Sequence, residues 1–185
     1  IYSYSGKVTI NTKDITSTNL KITAGDTIET GEKSFCDILI NKKTIARIGE
    51  NSKVIFHITP EDSFINIEKG QFGSISREKF TKAGVYKIST PTIAAAIRGT
   101  SFLVNVENPS SSYFCVCNGT INLSGSDGGA KENVTAAHHI GKRFIKDANG
   151  KISIDDNPGL LYHGDKEIED LAAMINEKVD WTKPD

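Results

Sequence analysis

The sequence contains only one methionine and one tryptophan, and only three cysteines and five prolines, in 185 residues. Its charges nearly cancel, at a formal net charge of -1, so it lacks the basic excess with which nucleic-acid-binding proteins hold phosphates. No apolar run approaches the roughly 18 to 20 residues that a membrane-spanning helix needs. The chain starts at Ile1 without a charged and apolar leader, so we expect any export signal or anchor to have been removed before this residue.

Motifs of the common enzyme classes are also missing. The sequence shows no nucleophile elbow, no phosphate-binding glycine loop, no His-Glu-x-x-His and no carboxylate pair to which roles could be assigned. Their absence favours a binding or structural protein over an enzyme.

Strand and turn signals, by contrast, fill most of the chain. Sixteen glycines punctuate short runs rich in Ile, Val, Thr and Ser. These runs lie at residues 7–11, 20–23, 27–29, 36–40, 44–48, 53–58, 64–68, 70–76, 85–90, 93–97, 102–107, 113–117 and 120–124. Strands at this spacing with turns between them predict an all-β fold, an antiparallel sandwich or roll of jelly-roll type.

Helical periodicity occurs only near the C-terminal end. Apolar residues at Ile168, Leu171, Ala172, Ile175 and Val179 form one stripe, with acidic residues in the first turn. This pattern predicts an amphipathic helix over 165–179. A single helix of this length is not stable alone in water, so we expect it to dock on the β body. Residues 124–132, with three glycines, are predicted to form a flexible loop.

Several segments resemble the FecR-type extracytoplasmic domain. They are Gly6 to Ile10, Ala24 to Gly31, Ile45 to Ser52, Ile67 to Gly70, Cys117 to Leu123 and above all Thr90-Pro91 through Ile97-Arg98-Gly99-Thr100 to Phe102. The last segment resembles the family's TP…A.RGT.F signature. The resemblance covers residues 1–145 and implies a β domain in the bacterial periplasm or at the cell surface, with residues 146–185 as a C-terminal extension. Some family members are the sensing part of sigma-factor regulators, and others are free-standing exported proteins.

The signature segment Arg98-Gly99-Thr100 has two interpretations. Arg98 could contact an anion or a partner from a tight turn. Alternatively, Gly99 supplies an unusual backbone angle while Arg98 caps carbonyls between strands. We favour the structural interpretation, because the small residues Ala94 to Ala96 before it indicate a tightly packed β layer.

A pair of thiols is the most informative local feature. Asn118-Gly119 between β-type residues predicts a two-residue hairpin that pairs Cys117 with Thr120. Strand alternation then places Cys115 and Cys117 together on the face that points away from the core. A disulfide between residues i and i+2 of one strand has poor geometry, whereas two thiolates on one face can share a tetrahedral ion.

Histidines could complete such a site. His138 and His139 follow the thiols by about twenty residues, and His163 precedes the predicted helix. Adjacent residues on a strand point in opposite directions, so at most one of His138 and His139 is expected to join. A Cys2His2 set suits zinc; copper(I) also fits, and haem iron is less favoured. The competing interpretations are inert thiols covered by the docked helix, with the histidines on the surface, and a redox or disulfide role.

The two remaining candidates are predicted to be structural. Cys36 lies in phase with Ile38 and Ile40 and is expected to be a buried core thiol, and His57 is expected to be structural or exposed. The sequence thus predicts an exported FecR-like sensing or binding module of the cell envelope with a Cys/His metal site. The alternatives are a structural or protein-interaction domain without metal, and the periplasmic part of a sigma-factor regulatory system. The expected partner is an envelope protein.

Overall fold

Fifteen strands and one helix make up the computed structural model, which describes residues 1–58, 63–77, 86–97 and 99–185. The strands are β1 (Ser3–Ser5), β2 (Val8–Ile10), β3 (Lys13–Asp14), β4 (Thr27–Thr30), β5 (Phe35–Asn41), β6 (Thr44–Ile48), β7 (Lys53–Ile58), β8 (Ser63–Ser76), β9 (Tyr86–Ser89), β10 (Ile93–Ile97), β11 (Ser101–Asn108), β12 (Ser111–Gly125), β13 (Lys131–Ala136), β14 (Ile140–Lys146) and β15 (Ile152–Asp155). The helix α1 spans Asp165–Met174. The fold is therefore all-β with a C-terminal helix, as predicted.

The strands form two sheets that share their longest members. The first sheet has the order β1-β5-β6-β8-β11-β12-β14-β15, and the second has the order β3-β2-β4-β7-β8-β9-β10-β12-β13. The pairing is antiparallel except between β8 and β9, which run parallel. The described residues thus form a two-layer roll in which β8 and β12 pass from one sheet into the other.

The crossing in β12 occurs at Asn118-Gly119. Residues up to Asn118 pair with β11 in the first sheet, and residues from Gly119 onward pair with β13 in the second. Gly119 has a φ of +119°, and a Cβ there would lie 2.4 Å from Cγ2 of Thr100. The predicted hairpin at this position is therefore wrong: the strand continues, and glycine permits the backbone to change sheets against Thr100.

Two apolar clusters hold the structure together. The larger lies between the sheets and includes Phe56, Phe72, Phe102, Phe114 and Cys36. The smaller lies on the outer face of the first sheet, where Leu103, Tyr113, Cys115, Cys117, Ile45 and Ile75 meet Ile168, Leu171, Ala172 and Ile175 of the helix region. The helix thus buries its apolar stripe against the outer face of the first sheet, where it covers both thiols.

The helix is shorter than the predicted span 165–179. Asn176 has a φ of +56°, and the backbone amides of Ile175 and Glu177 donate to the carbonyl of Ala172. A left-handed residue just after the last turn ends a helix, and asparagine tolerates this conformation. Val179 and Trp181 still pack against the smaller cluster, but from an extended tail.

Other differences concern residues outside the resemblance's motifs. The run 20–23 is not a strand. Strands β13, β14 and β15 were not predicted, and the predicted flexible loop over 124–132 includes the end of β12 and the start of β13. Strands β14 and β15 extend the first sheet beyond β12. The chain leaves β15 and leads through the segment before α1 back to the thiols.

Candidate metal centre

The thiols of Cys115 and Cys117 lie side by side beneath α1. Both residues are fully buried, and their sulfur atoms are 3.9 Å apart, so they are free thiols. The neighbours Phe114 and Val116 point into the core between the sheets. Strand alternation therefore directs both sulfurs to the outer face of the first sheet, as the sequence predicts. The predicted hairpin would have placed polar residues such as Thr120 next to the sulfurs. In the structure apolar residues of the helix region enclose them instead.

His139 reaches Cys115 from the turn between β13 and β14. Its Nδ1 lies 3.6 Å from the sulfur of Cys115, and its backbone amide donates to the carbonyl of Cys117 at 3.0 Å. The φ of His139 is +35°, so the backbone turns sharply at this residue. Because of this turn, His139 faces the thiols and only 5% of its side chain is exposed.

His163 reaches Cys117 from the segment that precedes α1. Its Nε2 lies 3.2 Å from the sulfur of Cys117, and its Nδ1 lies 2.9 Å from the carbonyl oxygen of Leu161. The segment is fixed by the buried ring of Tyr113, whose hydroxyl donates to the carbonyl of Gly159 and accepts from the amide of Leu161. Tyr113 thus sets the position of His163 relative to the strand that carries the thiols.

The four side chains form one compact group of donor atoms. Cys115, Cys117, His139 and His163 each offer one ligand atom, and all four atoms lie within 4.8 Å of one another. A tetrahedral zinc ion with bonds of about 2.3 Å to sulfur and about 2.0–2.1 Å to nitrogen places its ligand atoms about 3.3 to 3.8 Å apart. The distances of 3.9 Å between the sulfurs, and of 3.6 and 3.2 Å from sulfur to nitrogen, are close to those edges.

Both histidines have a second partner on the far ring nitrogen. His139 Nε2 lies 3.0 Å from Oδ1 of Asp165, and His163 Nδ1 faces the carbonyl of Leu161. Histidines that bind metals characteristically donate the other ring N–H to a carboxylate or a backbone carbonyl, which fixes the tautomer and the ring orientation. The group therefore has the outer partners of a metal site as well as the inner ones.

The surroundings shift the pKa values of the two thiols in opposite directions. Hydrogen bonding from Cys117 holds the pKa of Cys115 well below its usual range; burial opposes this effect, and hydrogen bonds from His139 and His163 reinforce it. Burial, together with the neighbouring Cys115, raises the pKa of Cys117. Deprotonation is therefore easier at Cys115 than at Cys117, and a divalent cation would favour loss of the proton from Cys117 as well.

His138 lies outside the buried group. Its Nε2 is 2.9 Å from the same Oδ1 of Asp165 that contacts His139, and 51% of its side chain is exposed. Trp181 lies against the rings of both histidines, with centroid distances of 4.8 and 4.9 Å. Of the five candidate residues, from which the sequence predicts Cys115, Cys117, His163 and one of His138 and His139 as ligands, the structure brings four together and leaves His138 outside. Asp165, Tyr113 and Trp181 were not predicted as site residues.

The signature segment has structural contacts in the described residues. Thr90 Oγ1 accepts from the amides of Thr92 and Ile93 and so shapes the turn before β10. Gly99 has a φ of +57°, and Thr100 is buried against Gly119. Arg98 lies outside the described residues. Thr90, Gly99 and Thr100 thus shape turns and the β12 crossing.

The C-terminal tail is fastened beside the centre. The side-chain nitrogen Nδ2 of buried Asn118 lies 2.8–3.0 Å from the carbonyl oxygens of Ala137, Asp180 and Lys183, among which its two N–H groups are shared. The guanidinium of Arg77, at the end of β8, contacts the carboxylate of Asp185. Asn118 follows Cys117 directly, so one short stretch of β12 holds both the thiols and the tail.

We expect Asp165→Asn to weaken zinc binding about tenfold, the lower end of the loss seen when an outer partner of a ligating histidine is replaced. The substitution keeps the shape of the side chain but removes the anionic acceptor of His139 Nε2. Competition titration against a zinc chelator measures this affinity. Asp170→Asn is the matched control, because Asp170 lies on the same helix and contacts Lys166 on the surface. Equal zinc affinities of the two variants would contradict the expected role of Asp165.

The fold and the site together define an all-β domain with a compact Cys2His2 group under a C-terminal helix. The FecR protein family model matches residues 26–122, just over half of the chain, and the chain belongs to this family. No curated protein sequence matches it.

Two solved structures share the fold. Both are crystal structures, at 1.65 and 2.50 Å, of a protein from Parabacteroides distasonis ATCC 8503 provisionally assigned as an anti-sigma factor. Each aligns with a TM-score of 0.54 at 12% identity, over 70% of this chain and 59% of that one. The chain therefore spans about three fifths of the length of these structures. None of its described helices is long and apolar enough to span a membrane.

Proposed function

We propose that this chain is an envelope module of a sigma-factor regulatory system, located in the periplasm or at the cell surface, that binds a zinc ion through Cys115, Cys117, His139 and His163. Membership of the FecR family and the fold shared with a protein provisionally assigned as an anti-sigma factor support the regulatory role, which is binding and not catalysis. The convergence of four ligand atoms within 4.8 Å carries the metal assignment. The expected partner is another envelope protein.

Zinc is favoured by the chemistry of the donor set. Two thiolates and two imidazoles in a closed tetrahedral arrangement are typical of structural zinc sites. Copper(I) shares the preference for soft sulfur ligands and is the main competitor. Haem is disfavoured, because donor atoms this close to one another enclose a single ion and leave no face for a porphyrin.

Ion binding would connect separate parts of the chain. The thiols belong to β12, whereas His163 immediately precedes α1 and Asp165 is its first residue. An ion held by both groups stabilises the docked position of the helix by mass action, since the undocked state lacks the ligand His163 and the contact of Asp165 with His139. Occupancy of the site is therefore expected to set the position of α1 and of the tail that follows it.

Amide hydrogen exchange tests this coupling. We expect zinc to slow exchange across 165–185 and a chelator to accelerate it, with little change in β4 and β7, which lie in the other sheet. The variant Cys115→Ser, Cys117→Ser should show the fast pattern with or without zinc. A zinc-loaded wild-type chain whose helix and tail exchange at the same rate as the metal-free chain would contradict the coupling while leaving the metal site intact.

A protein-interaction module without metal is the second candidate. A groove of about 700 Å³ along the second sheet is lined by Ala94 and Ala96 of β10, Ile88 of β9 and residues of β13. Among the described strands β13 pairs only with β12, so its other edge is available to an added strand. This candidate replaces the first if purified protein holds no metal in any preparation.

A further inference from the structure

Three of the four ligand residues of the proposed zinc site are closed to solvent, and the fourth, His163, is half-buried. Cys115 and Cys117 have no exposed area, and His139 exposes only 5% of its side chain. A hydrated zinc ion is too large to enter such a site intact. It must shed its water on the way in, and protein ligands must replace that water. The route therefore needs donor atoms between the solvent and the sulfurs.

A continuous series of donor atoms leads inward from the surface. It begins at His138, of which 51% is exposed, and at Asp165, of which 45% is exposed, with 2.9 Å between His138 Nε2 and Asp165 Oδ1. The same carboxylate oxygen lies 3.0 Å from His139 Nε2, and the other nitrogen of that ring lies 3.6 Å from the sulfur of Cys115. The distances between successive donor atoms, 2.9, 3.0 and 3.6 Å, are close to the distance between two ligand atoms on one ion.

The described part of the chain contains two groups of potential metal ligands, and they share one residue. One is the buried group, and the other comprises His138, His139 and Asp165. His139 belongs to both, with one ring nitrogen facing each. The shared residue connects an exposed group to a buried group without a gap.

The surroundings favour a cation at the outer group. Glu169, which accepts a hydrogen bond from the indole of Trp181, adds negative charge beside the outer group, and this charge raises the local concentration of cations. Trp181 covers the rings of His138 and His139, and its Nε1 donates to Glu169 at 2.9 Å. The indole therefore shields one side of the outer group, His138, His139 and Asp165, from solvent.

We propose that His138 and Asp165 form a loading site, which captures a divalent cation such as Zn²⁺ from solvent and passes it to the buried Cys2His2 group across the ring of His139. This inference rests on the proposed zinc site and adds its route of metal uptake. At the loading site the ion binds His138 Nε2 and Asp165 Oδ1 in place of the hydrogen bond between them, keeps most of its water, and the proton of that hydrogen bond leaves to solvent. It then exchanges its remaining water, His138 and Asp165 for His139, His163 and the sulfurs of Cys115 and Cys117, and each thiol that binds loses its proton to solvent.

A loading residue has a kinetic signature that a ligand lacks. Because uptake and release follow the same path, removing His138 raises the barrier in both directions and leaves the equilibrium affinity unchanged. Removing a ligand of the bound state instead accelerates release and weakens affinity. The two rate constants together therefore distinguish a loading residue from a ligand.

The experiment compares metal exchange in the 185-residue wild-type chain and in its His138→Gln variant, both with reduced thiols. Co²⁺ is the probe in stopped-flow mixing, since its charge-transfer absorption arises only when thiolates bind it. Release is followed by adding excess chelator to the Co²⁺-loaded chain. We expect His138→Gln to slow both uptake and release about tenfold, within the range over which association rates vary among variants of one site. The dissociation constant, from competition titration, should stay the same.

His57→Gln is the matched control, because His57 stacks on Phe64 in the second sheet and belongs to neither ligand group. Unchanged uptake and release in His138→Gln would overturn the loading site and leave the zinc site standing. Faster release with weaker affinity would also overturn it, because His138 would then be a ligand. A wild-type chain that binds neither Co²⁺ nor Zn²⁺ would instead overturn the proposed zinc site, and the loading site with it.

Discussion

The variant Cys115→Ser, Cys117→Ser is expected to purify without zinc, while the wild-type chain carries one ion per molecule. Serine hydroxyls are poor zinc ligands at neutral pH, so the substitutions remove both sulfur donors of the group. At free zinc a thousandfold above the dissociation constant, a bound ion stabilises the folded chain by about 4 kcal/mol. For a chain of this size we expect the variant to melt about 8 to 16 °C below the zinc-loaded wild type.

Elemental analysis of protein purified without a histidine tag, combined with thermal unfolding in zinc and in chelator, measures both effects. Cys36→Ala is the control, because Cys36 is a buried thiol of the core between the sheets. It should lose some stability but keep its zinc and its response to chelator. Wild-type protein without stoichiometric metal, whose melting temperature is the same in chelator, would reject the zinc site.

Gly119→Ala is expected to destabilise the fold by about 3 kcal/mol, the sum of a strained backbone and an overpacked contact. Glycine adopts a φ of +119° here, and the added Cβ would lie 2.4 Å from Thr100 Cγ2 and 3.3 Å from Thr100 Cα. An exposed hairpin turn would tolerate alanine far better. Denaturant unfolding of the wild type and the variant gives the difference in free energy.

Two further variants separate strain from crowding. Gly128→Ala also introduces alanine at a positive φ, of +77°, but with no atom within 4 Å of the new Cβ, so it should show the backbone cost alone. Thr100→Ser removes the methyl group that the new Cβ meets and should restore part of the stability lost in Gly119→Ala. Equal losses in Gly119→Ala and Gly128→Ala would show that Thr100 does not restrict the crossing.

Local pattern was sufficient for most of the fold but not for the path of β12. The alternating burial of β10 reflects one buried face of the strand, which a sequence pattern can identify. The Asn118-Gly119 pair carries a local hairpin signal, whereas the outcome depends on pairing with β11 and β13, which are distant in sequence. Long-range pairing overrides the local preference at this site.

The candidate site was predictable to a similar degree. Strand alternation placed Cys115 and Cys117 on one face, and the scarcity of histidines indicated the partners. The choice of His139 over His138 depends on a backbone turn at φ +35° and on Asp165, neither of which leaves a periodic pattern. The end of α1 depends likewise on the left-handed conformation of Asn176, so the sequence stripe to Val179 overestimated its length.

The burial of all three cysteines protects their thiols from oxidation. Oxidants attack thiolates that they can reach, and Cys36, Cys115 and Cys117 are all fully enclosed in the folded chain. Burial also raises the pKa of Cys36 to about 12, which keeps that sulfur protonated and unreactive. For the envelope location that we propose, the thiols are open to oxidants only until folding is complete, and a chain whose helix covers Cys115 and Cys117 resists sulfenylation and mispairing with other proteins.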